Sequence, residues 1–355
     1  MTQQQRLAAI DQLMDQAIKD KLFPGGELLL AQGDQLILHQ AYGKTSGSDQ
    51  ASALSLGARY DLASLTKPMA TAAAILKLWE LDRLDLEQPL ATLLPQWAGD
   101  KTINCLDLLT HRSGLPPWLP LYQCADRQAA WGVLMAAKEA EPSRIKVRYS
   151  CLNYIILGEL VRLITGGSLA SFCEQEIFSP LGLKSFGFNP GPEPGVLQSA
   201  LCPSRGRRLQ GEVQDENAAL FDGEAGNAGL FGCAGDVWRF MRMLLNQGTL
   251  DGVQVLSPAS AQLMIQNQNP TGLASRTVGW DYNDLSPGYW SCGSQLGVGS
   301  IGHLGYTGTG VWLDVKKQTF YIHLTHRVWY GPESKLAQMK AFRPQLHDCL
   351  SRLLE

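Results

Sequence analysis

Arg59-Tyr60-Asp61-Leu62-Ala63-Ser64-Leu65-Thr66-Lys67-Pro68-Met69 is the stretch on which the reading of this chain turns. An extended segment, Arg59 to Ala63, gives way to an apolar helical run from Met69 to Leu81. Ser64 and Lys67 fall three apart at that junction, so on a helix they share one face, with Cβ atoms roughly 5–6 Å apart. A lysine so placed can take the serine's proton with no histidine involved. The first turn also offers unpaired backbone N–H groups and the positive end of the helix dipole, which favour negative charge on the serine oxygen. The junction has the make-up of an activated nucleophile.

Spacing alone decides little, because about one Ser-x-x-Lys arises by chance in a chain of this composition. A second copy, Ser143-Arg144-Ile145-Lys146, runs into the alternating Ile145-Lys146-Val147-Arg148-Tyr149, an extended pattern. Residues three apart on a strand face opposite ways, so Ser143 and Lys146 are not expected to act together.

The 355 residues leave room for two lobes or one large domain, and 45% hydrophobic with 18% charged residues is ordinary for a globular chain. Net charge is −3. The nearest approach to a basic patch, Arg205-Gly206-Arg207-Arg208, is too small for phosphate binding, so no nucleic-acid partner is expected. Gln3 to Lys21 reads as an amphipathic helix, with Leu7, Ile10, Leu13, Met14, Ala17 and Ile18 opposite Asp11, Asp15, Lys19 and Asp20. It lacks the apolar core of an export signal, and nothing reaches membrane-spanning length. Cytoplasmic residence with no membrane partner is therefore the expectation. Eight scattered cysteines without a Cys-x-x-Cys point to reduced thiols rather than disulfides or zinc.

Gly33-Asp34 between Glu27–Ala31 and Gln35–Gln40 signals a hairpin. Ser64 to about Phe178 is mostly helical, and Phe186 to Asn217 reads as loop with short strands. Gly235–Asn246 is helical again. Two strands, Gly310–Lys316 and Thr319–Arg327, and a closing helix, Glu333–Leu354, end the chain. The fold expected is α/β (α+β): an antiparallel sheet built from both chain ends and flanked by helices, residues 1–62 plus 218–355, with a mostly helical lobe over 63–217.

Three motifs then fall in order: Ser64-x-x-Lys67, Tyr149-Ser150-Cys151, and His303-Leu304-Gly305 followed by Tyr306. Leu108–Leu115, Gly211–Ala218 and Gly226–Phe231 support them. In these residues the chain resembles the serine hydrolases related to class C β-lactamases and low-molecular-weight penicillin-binding proteins, esterases included, from about Gly25 to Arg327. The resemblance implies a β-lactamase/DD-peptidase-like sandwich and needs no cofactor or metal. It makes Ser64 the nucleophile, Lys67 its base or proton relay, and Tyr149 a phenolate-like proton acceptor. The backbone N–H groups of Ser64 and Tyr306 would form the oxyanion hole, with Tyr306 on the strand of the third motif. For Lys67 to accept a proton near neutrality its pKa has to drop by about 3, roughly 4 kcal/mol.

Cys151, His303, Leu304 and Gly305 fall at the family's substrate-binding positions, and three of them depart from the β-lactamase pattern. Cys151 stands for an asparagine and is a weak hydrogen-bonding group. His303 stands for a lysine, and Leu304 for a hydroxyl residue that grips the substrate carboxylate. These changes weaken recognition of β-lactams and D-Ala-D-Ala peptides and leave Ser64, Lys67 and Tyr149 intact. The reading favoured is an esterase-like hydrolase of small esters or amides. A β-lactamase or D-Ala-D-Ala carboxypeptidase relative, or a non-catalytic binding protein of the same fold, are the alternatives.

Other features have plainer readings. His111 is expected to satisfy backbone groups in the Thr110–Gly114 turn. His323 and His326 face oppositely on a strand and make no metal pair. Gly297-Val298-Gly299-Ser300-Ile301-Gly302 spells a dinucleotide fingerprint but leads into a strand, not the helix that such a site needs. Trp118, Tyr122, Trp280 and Trp290 are candidates for an apolar acyl pocket, or for packing within their own lobe.

Overall fold

In the computed structural model, which describes residues 1–286, 291–331, 333 and 335–355, the Gly33-Asp34 turn joins two strands, Gly25–Gln32 and Gln35–Gly43. The first pairs antiparallel with Thr319–Thr325, Leu28 opposite His323. The sheet continues through Gly310–Asp314 and Ile301–Leu304 to Asp281–Tyr282, six antiparallel strands drawn from both chain ends.

Strand alternation sends Leu28, Leu30, Trp312 and Tyr321 to one face. There they join Ile10 and Met14 of the N-terminal helix (Gln3–Lys19) and Phe342 and Leu346 of the C-terminal helix (Leu336–Ser351). Leu29, Ala31, Phe320 and Ile322 face the other way, into a core with Val237, Phe240 and Met241 of the helix Ala234–Leu245. Cover on both faces is why Gly25–Gln32 and its neighbour Thr319–Thr325 are almost continuously buried, a pattern alternating strands do not show.

The block between the sheet halves is helical where expected. Ala73–Glu80 and Cys151–Thr165 are buried along most of their length. Gly158 in the second of these touches Gly226, where an added Cβ would lie 2.0 Å from the Tyr154 carbonyl oxygen. Only bare glycine lets the helix meet that segment. Short strands Gly187–Phe188, Gln198–Cys202 and Arg207–Gln210 lie in the stretch 186–217, read from the sequence as loop with short strands.

The alternation Ile145–Tyr149 does not form a strand. Arg144 takes a left-handed φ of 63° and its guanidinium pairs with the buried Asp107 at 2.6 Å, which turns the chain instead. Ser143 is engaged there, donating to Asp100 Oδ2 at 2.6 Å. The glycine run at 297–302 leads into the strand Ile301–Leu304, and all eight cysteines are free thiols.

Five of the six histidines are buried. His326 lies just past the end of its strand, while His323 pairs through Nδ1 with His347 Nε2 at 3.1 Å. Burial holds His303, His326 and His347 down to about 4, and His111 and His323 well below the ordinary value. A folded-state pKa below the unfolded value of about 6.5 means the unfolded chain binds more protons as pH falls. Stability is therefore complete above pH ~6.5 and is lost progressively toward about 4, at roughly 2 kcal/mol by pH 5 for each of His303, His326 and His347. Calorimetry should show a melting temperature several degrees lower at pH 5 than at pH 7.5. Equal values at the two pH conditions would contradict this.

Candidate active site

Every residue from Tyr60 to Leu76 is buried except Ser64. The strand Tyr60–Asp61 pairs with Leu230–Gly232, and Leu62 N–H donates to Leu230 O at 2.9 Å. Ala63 then takes a left-handed φ of 48°, a conformation costing roughly 1–2 kcal/mol for a residue with a Cβ. The Ala63–Leu65 turn that follows presents Ser64 to the cleft. Its backbone N–H has no acceptor among the described residues. Thr66 locks the turn, donating to Ala63 O at 2.6 Å and accepting from Leu230 N–H at 3.0 Å.

Helix begins here as a wide π-turn over Lys67–Ala72 and becomes α only at Ala73. Pro68, which lacks an N–H, sits at its start. The serine–lysine pairing survives this departure from regular geometry. Lys67 is fully buried and its Nζ donates to Ser64 Oγ at 2.8 Å and to Asn227 O at 2.9 Å. The Gly226–Phe231 motif thus supplies the carbonyl that orients the lysine. Tyr149 comes from the irregular segment before Cys151–Thr165, and its ring centroid lies 4.9 Å from Lys67 Nζ. Three distant stretches of chain therefore meet at one point.

The protonation of this cluster differs from the sequence expectation. Burial works against charge on Lys67, but Cys151 and Tyr149 beside it hold the proton, and the net direction is upward, not down. Burial likewise raises the Tyr149 phenol, and the neighbouring Lys67 charge pulls it back without cancelling the rise. The resting pair is an ammonium beside a neutral phenol.

Tyr306 lies in the tight turn after the strand Ile301–Leu304, not on the strand itself. Its N–H has no acceptor among the described residues. Thr307 Oγ1 donates to Asp61 O at 2.7 Å and Thr309 Oγ1 to Leu62 O at 3.2 Å, so the turn is stitched to the chain just before Ser64. From behind, Arg327 donates to Tyr306 O at 2.7 Å and Arg343 to Gly305 O at 3.3 Å. Gly305 is buried against Leu62 and Thr309: an added Cβ would sit 2.6 Å from Leu62 O and 2.0 Å from Thr309 Oγ1. Gly305→Ala should therefore push the turn off the serine and lower kcat by about 10²-fold, as loss of one oxyanion donor does. Steady-state kinetics on the folded variant checks this, and unchanged kcat would contradict it.

The substituted positions divide. Cys151, partly exposed, opens the helix Cys151–Thr165 beside Lys67, its N–H bound to Pro117 O at 2.9 Å. Leu304 is partly exposed and His303 buried. His303 Nδ1 bonds Leu304 O at 2.9 Å, and its ring centroid lies 5.9 Å from that of Tyr149.

His111 does something other than close its own turn. Nδ1 accepts from the Ser150 N–H at 3.1 Å and the ring lies 4.6 Å from that of Tyr149, so it braces the second motif. Nothing in the sequence marks Arg276, which has no spacing relation to the three motifs. Its guanidinium lies 5.6 Å from the Tyr149 ring centroid and is paired with Asp281. Trp118 and Tyr122 pair at 6.0 Å on the loop beside Cys151. Trp280 is fully buried in the core, and Trp290 lies outside the described residues.

Comparison with known proteins follows the same lines. An N-acetylmuramyl-L-alanine amidase of Bacillus subtilis (strain 168) is 29% identical over 351 residues, spanning 87% of this chain and 78% of that protein. Among solved structures, EstCE1, described as a hydrolase with promiscuous acyltransferase activity, superposes with a TM-score of 0.73 at 20% identity, covering 98% of both chains. A beta-lactamase/D-alanine carboxypeptidase from Yersinia pestis does so at 0.72 and 20% identity, covering 98% of this chain and 99% of that one. These two likenesses concern the fold. The beta-lactamase family profile matches residues 10–339, taking in Ser64, Tyr149 and Tyr306 together, and on that extent the chain belongs to the beta-lactamase family.

Proposed function

We propose that this chain is a serine hydrolase that acts on small esters or amides through an acyl-enzyme on Ser64. The observation that carries the reading is the 2.8 Å contact between Lys67 Nζ and Ser64 Oγ at the one accessible residue of a buried stretch. Lys67 donates to Ser64 Oγ, so the serine's own proton is free to leave toward Tyr149. Once the Lys67–Tyr149 pair has lost one proton, the phenolate beside the ammonium receives it. Ser64 Oγ bonds the carbonyl carbon, and the oxygen that gains charge meets the N–H groups of Ser64 and Tyr306. Tyr149 passes the proton to the departing alcohol or amine as its bond to carbon breaks. Water then repeats the sequence in reverse roles and releases the acid.

Esters suit the site because Leu304 offers a carboxylate no hydrogen bond. A second reading, cleavage of amides that bear a carboxylate, is favoured by Arg276, a cation on the same wall beside Tyr149. Its Nη1 is buried with no acceptor among the described residues. The amidase and carboxypeptidase names of the similar proteins lie in that direction.

A panel of short-chain p-nitrophenyl esters, a chromogenic cephalosporin, a fluorescent penicillin and a D-alanyl-D-alanine peptide separates the two. Ester turnover dominating supports the first reading. Rapid cephalosporin or peptide cleavage supports the second. No turnover of any member, with no covalent capture, would leave a binding protein.

A further inference from the structure

The oxyanion hole assigned above depends on two backbone N–H groups from segments far apart in sequence, and one side chain touches the support of both. Asp61 is buried, with 6% of its surface exposed, and no cation pairs with it among the described residues. Its Oδ1 accepts from the Ala63 N–H at 2.8 Å, directly across the left-handed turn that presents Ser64. Its Oδ2 accepts from the Gln214 N–H at 2.8 Å, drawing in the Gly211–Ala218 segment. The Asp61 carbonyl accepts from Thr307 Oγ1 at 2.7 Å, next to Tyr306.

We propose that Asp61 is a positioning residue of the oxyanion hole, its carboxylate clamping the Ala63 turn while its carbonyl anchors the Tyr306 turn, so that both N–H donors are held at one spacing. The assignment rests on the hydrolase reading of Ser64. Asp61 touches no substrate and acts through the backbone on either side of the nucleophile. Ala63 would relax from its strained conformation without a full acceptor at its N–H.

Folding does not account for a carboxylate at this place. Burial pushes Asp61 up to about 6 against the N–H groups of Gln214 and Ala63, with Asp215 adding to the rise and Arg205 opposing it. The strand Leu230–Gly232 brings no charged side chain, and the Gly305–Thr309 turn brings only the Tyr306 phenol. With its folded-state pKa raised, the charge opposes folding at neutral pH, yet only the ionised form accepts at both oxygens. An asparagine of the same size has one acceptor oxygen and would set its NH₂ against the other N–H.

Asp61→Asn and Thr307→Val test this on the full chain with p-nitrophenyl butyrate, each variant checked for fold by circular dichroism. Asp61→Asn is expected to lose about 10²-fold in kcat with KM within about threefold of wild type, the mark of support given only in the transition state. Thr307→Val is expected to lose roughly tenfold in kcat with the same split. In wild type the fall of log kcat with decreasing pH should steepen from slope one to slope two below about pH 6. Asp61→Asn should keep slope one. Should Asp61→Asn not fold, Thr307→Val and the wild-type steepening decide. Wild-type kcat in both folded variants, or a wild-type profile without the second proton, would overturn the assignment and leave the hydrolase reading standing. Wild-type protein that neither turns over ester nor is captured by a phosphonate would overturn both.

Discussion

Ser64→Ala is expected to lower ester turnover by at least roughly 10⁴-fold while leaving the fold in place. The residual rate would come from the N–H groups of Ser64 and Tyr306, which the substitution does not touch. Stability should hold, because Ser64 is the accessible member of its stretch and its hydroxyl serves Lys67 rather than the core. The left-handed Ala63 turn is fixed by Asp61, Thr66 and Leu230, not by the serine side chain. Steady-state kinetics with a melting curve on the same preparation tests both halves. A folded variant retaining more than about a hundredth of wild-type kcat would move the chemistry elsewhere.

Lys67→Ala should cost nearly as much, about 10³-fold in kcat, and should also change how the rate depends on pH. In wild type both members of the Lys67–Tyr149 pair are raised, so the form able to take the serine proton accumulates only as pH climbs. The rate should rise with slope one through neutrality and go on rising to about pH 10, levelling off only beyond it. Removing the ammonium removes the charge that lowers the cost of a phenolate, so the limb moves to still higher pH. Tyr149→Phe, which keeps the ring but loses the proton acceptor, should lose about 10²–10⁴-fold at every pH. A rate already maximal at pH 6 in wild type, or a limb unmoved in Lys67→Ala, would contradict this proton path.

How much was legible beforehand differs from element to element, for physical reasons. The hairpin around Gly33-Asp34 and the two C-terminal strands were plain because turn chemistry and apolar runs are local. Ser64, Lys67 and Tyr149 were legible as motifs, and their meeting in space follows from the helix Cys151–Thr165 packing against the helix that starts at Lys67. The strand expected at Ile145–Tyr149 failed because the ion pair of Arg144 with Asp107, a tertiary contact, overrode the alternation. Tyr306 slipped from strand to turn for a similar reason, since Thr307 and Thr309 pull that loop onto Asp61 and Leu62. The direction of the Lys67 pKa could not be read from spacing at all. It depends on Cys151 and Tyr149 closing on a fully buried amine. Arg276 and Asp61 had no signal of their own: one has no relation to any motif, and the other works through hydrogen bonds to backbone from three segments.

The most direct measurement is capture of the nucleophile itself. Wild-type protein treated with a fluorophosphonate, digested and mapped by mass spectrometry should carry one adduct, on the peptide containing Ser64, formed faster as pH rises and absent from Ser64→Ala. An adduct on Cys151 or on Ser143, or undiminished labelling of Ser64→Ala, would contradict the assignment of Ser64.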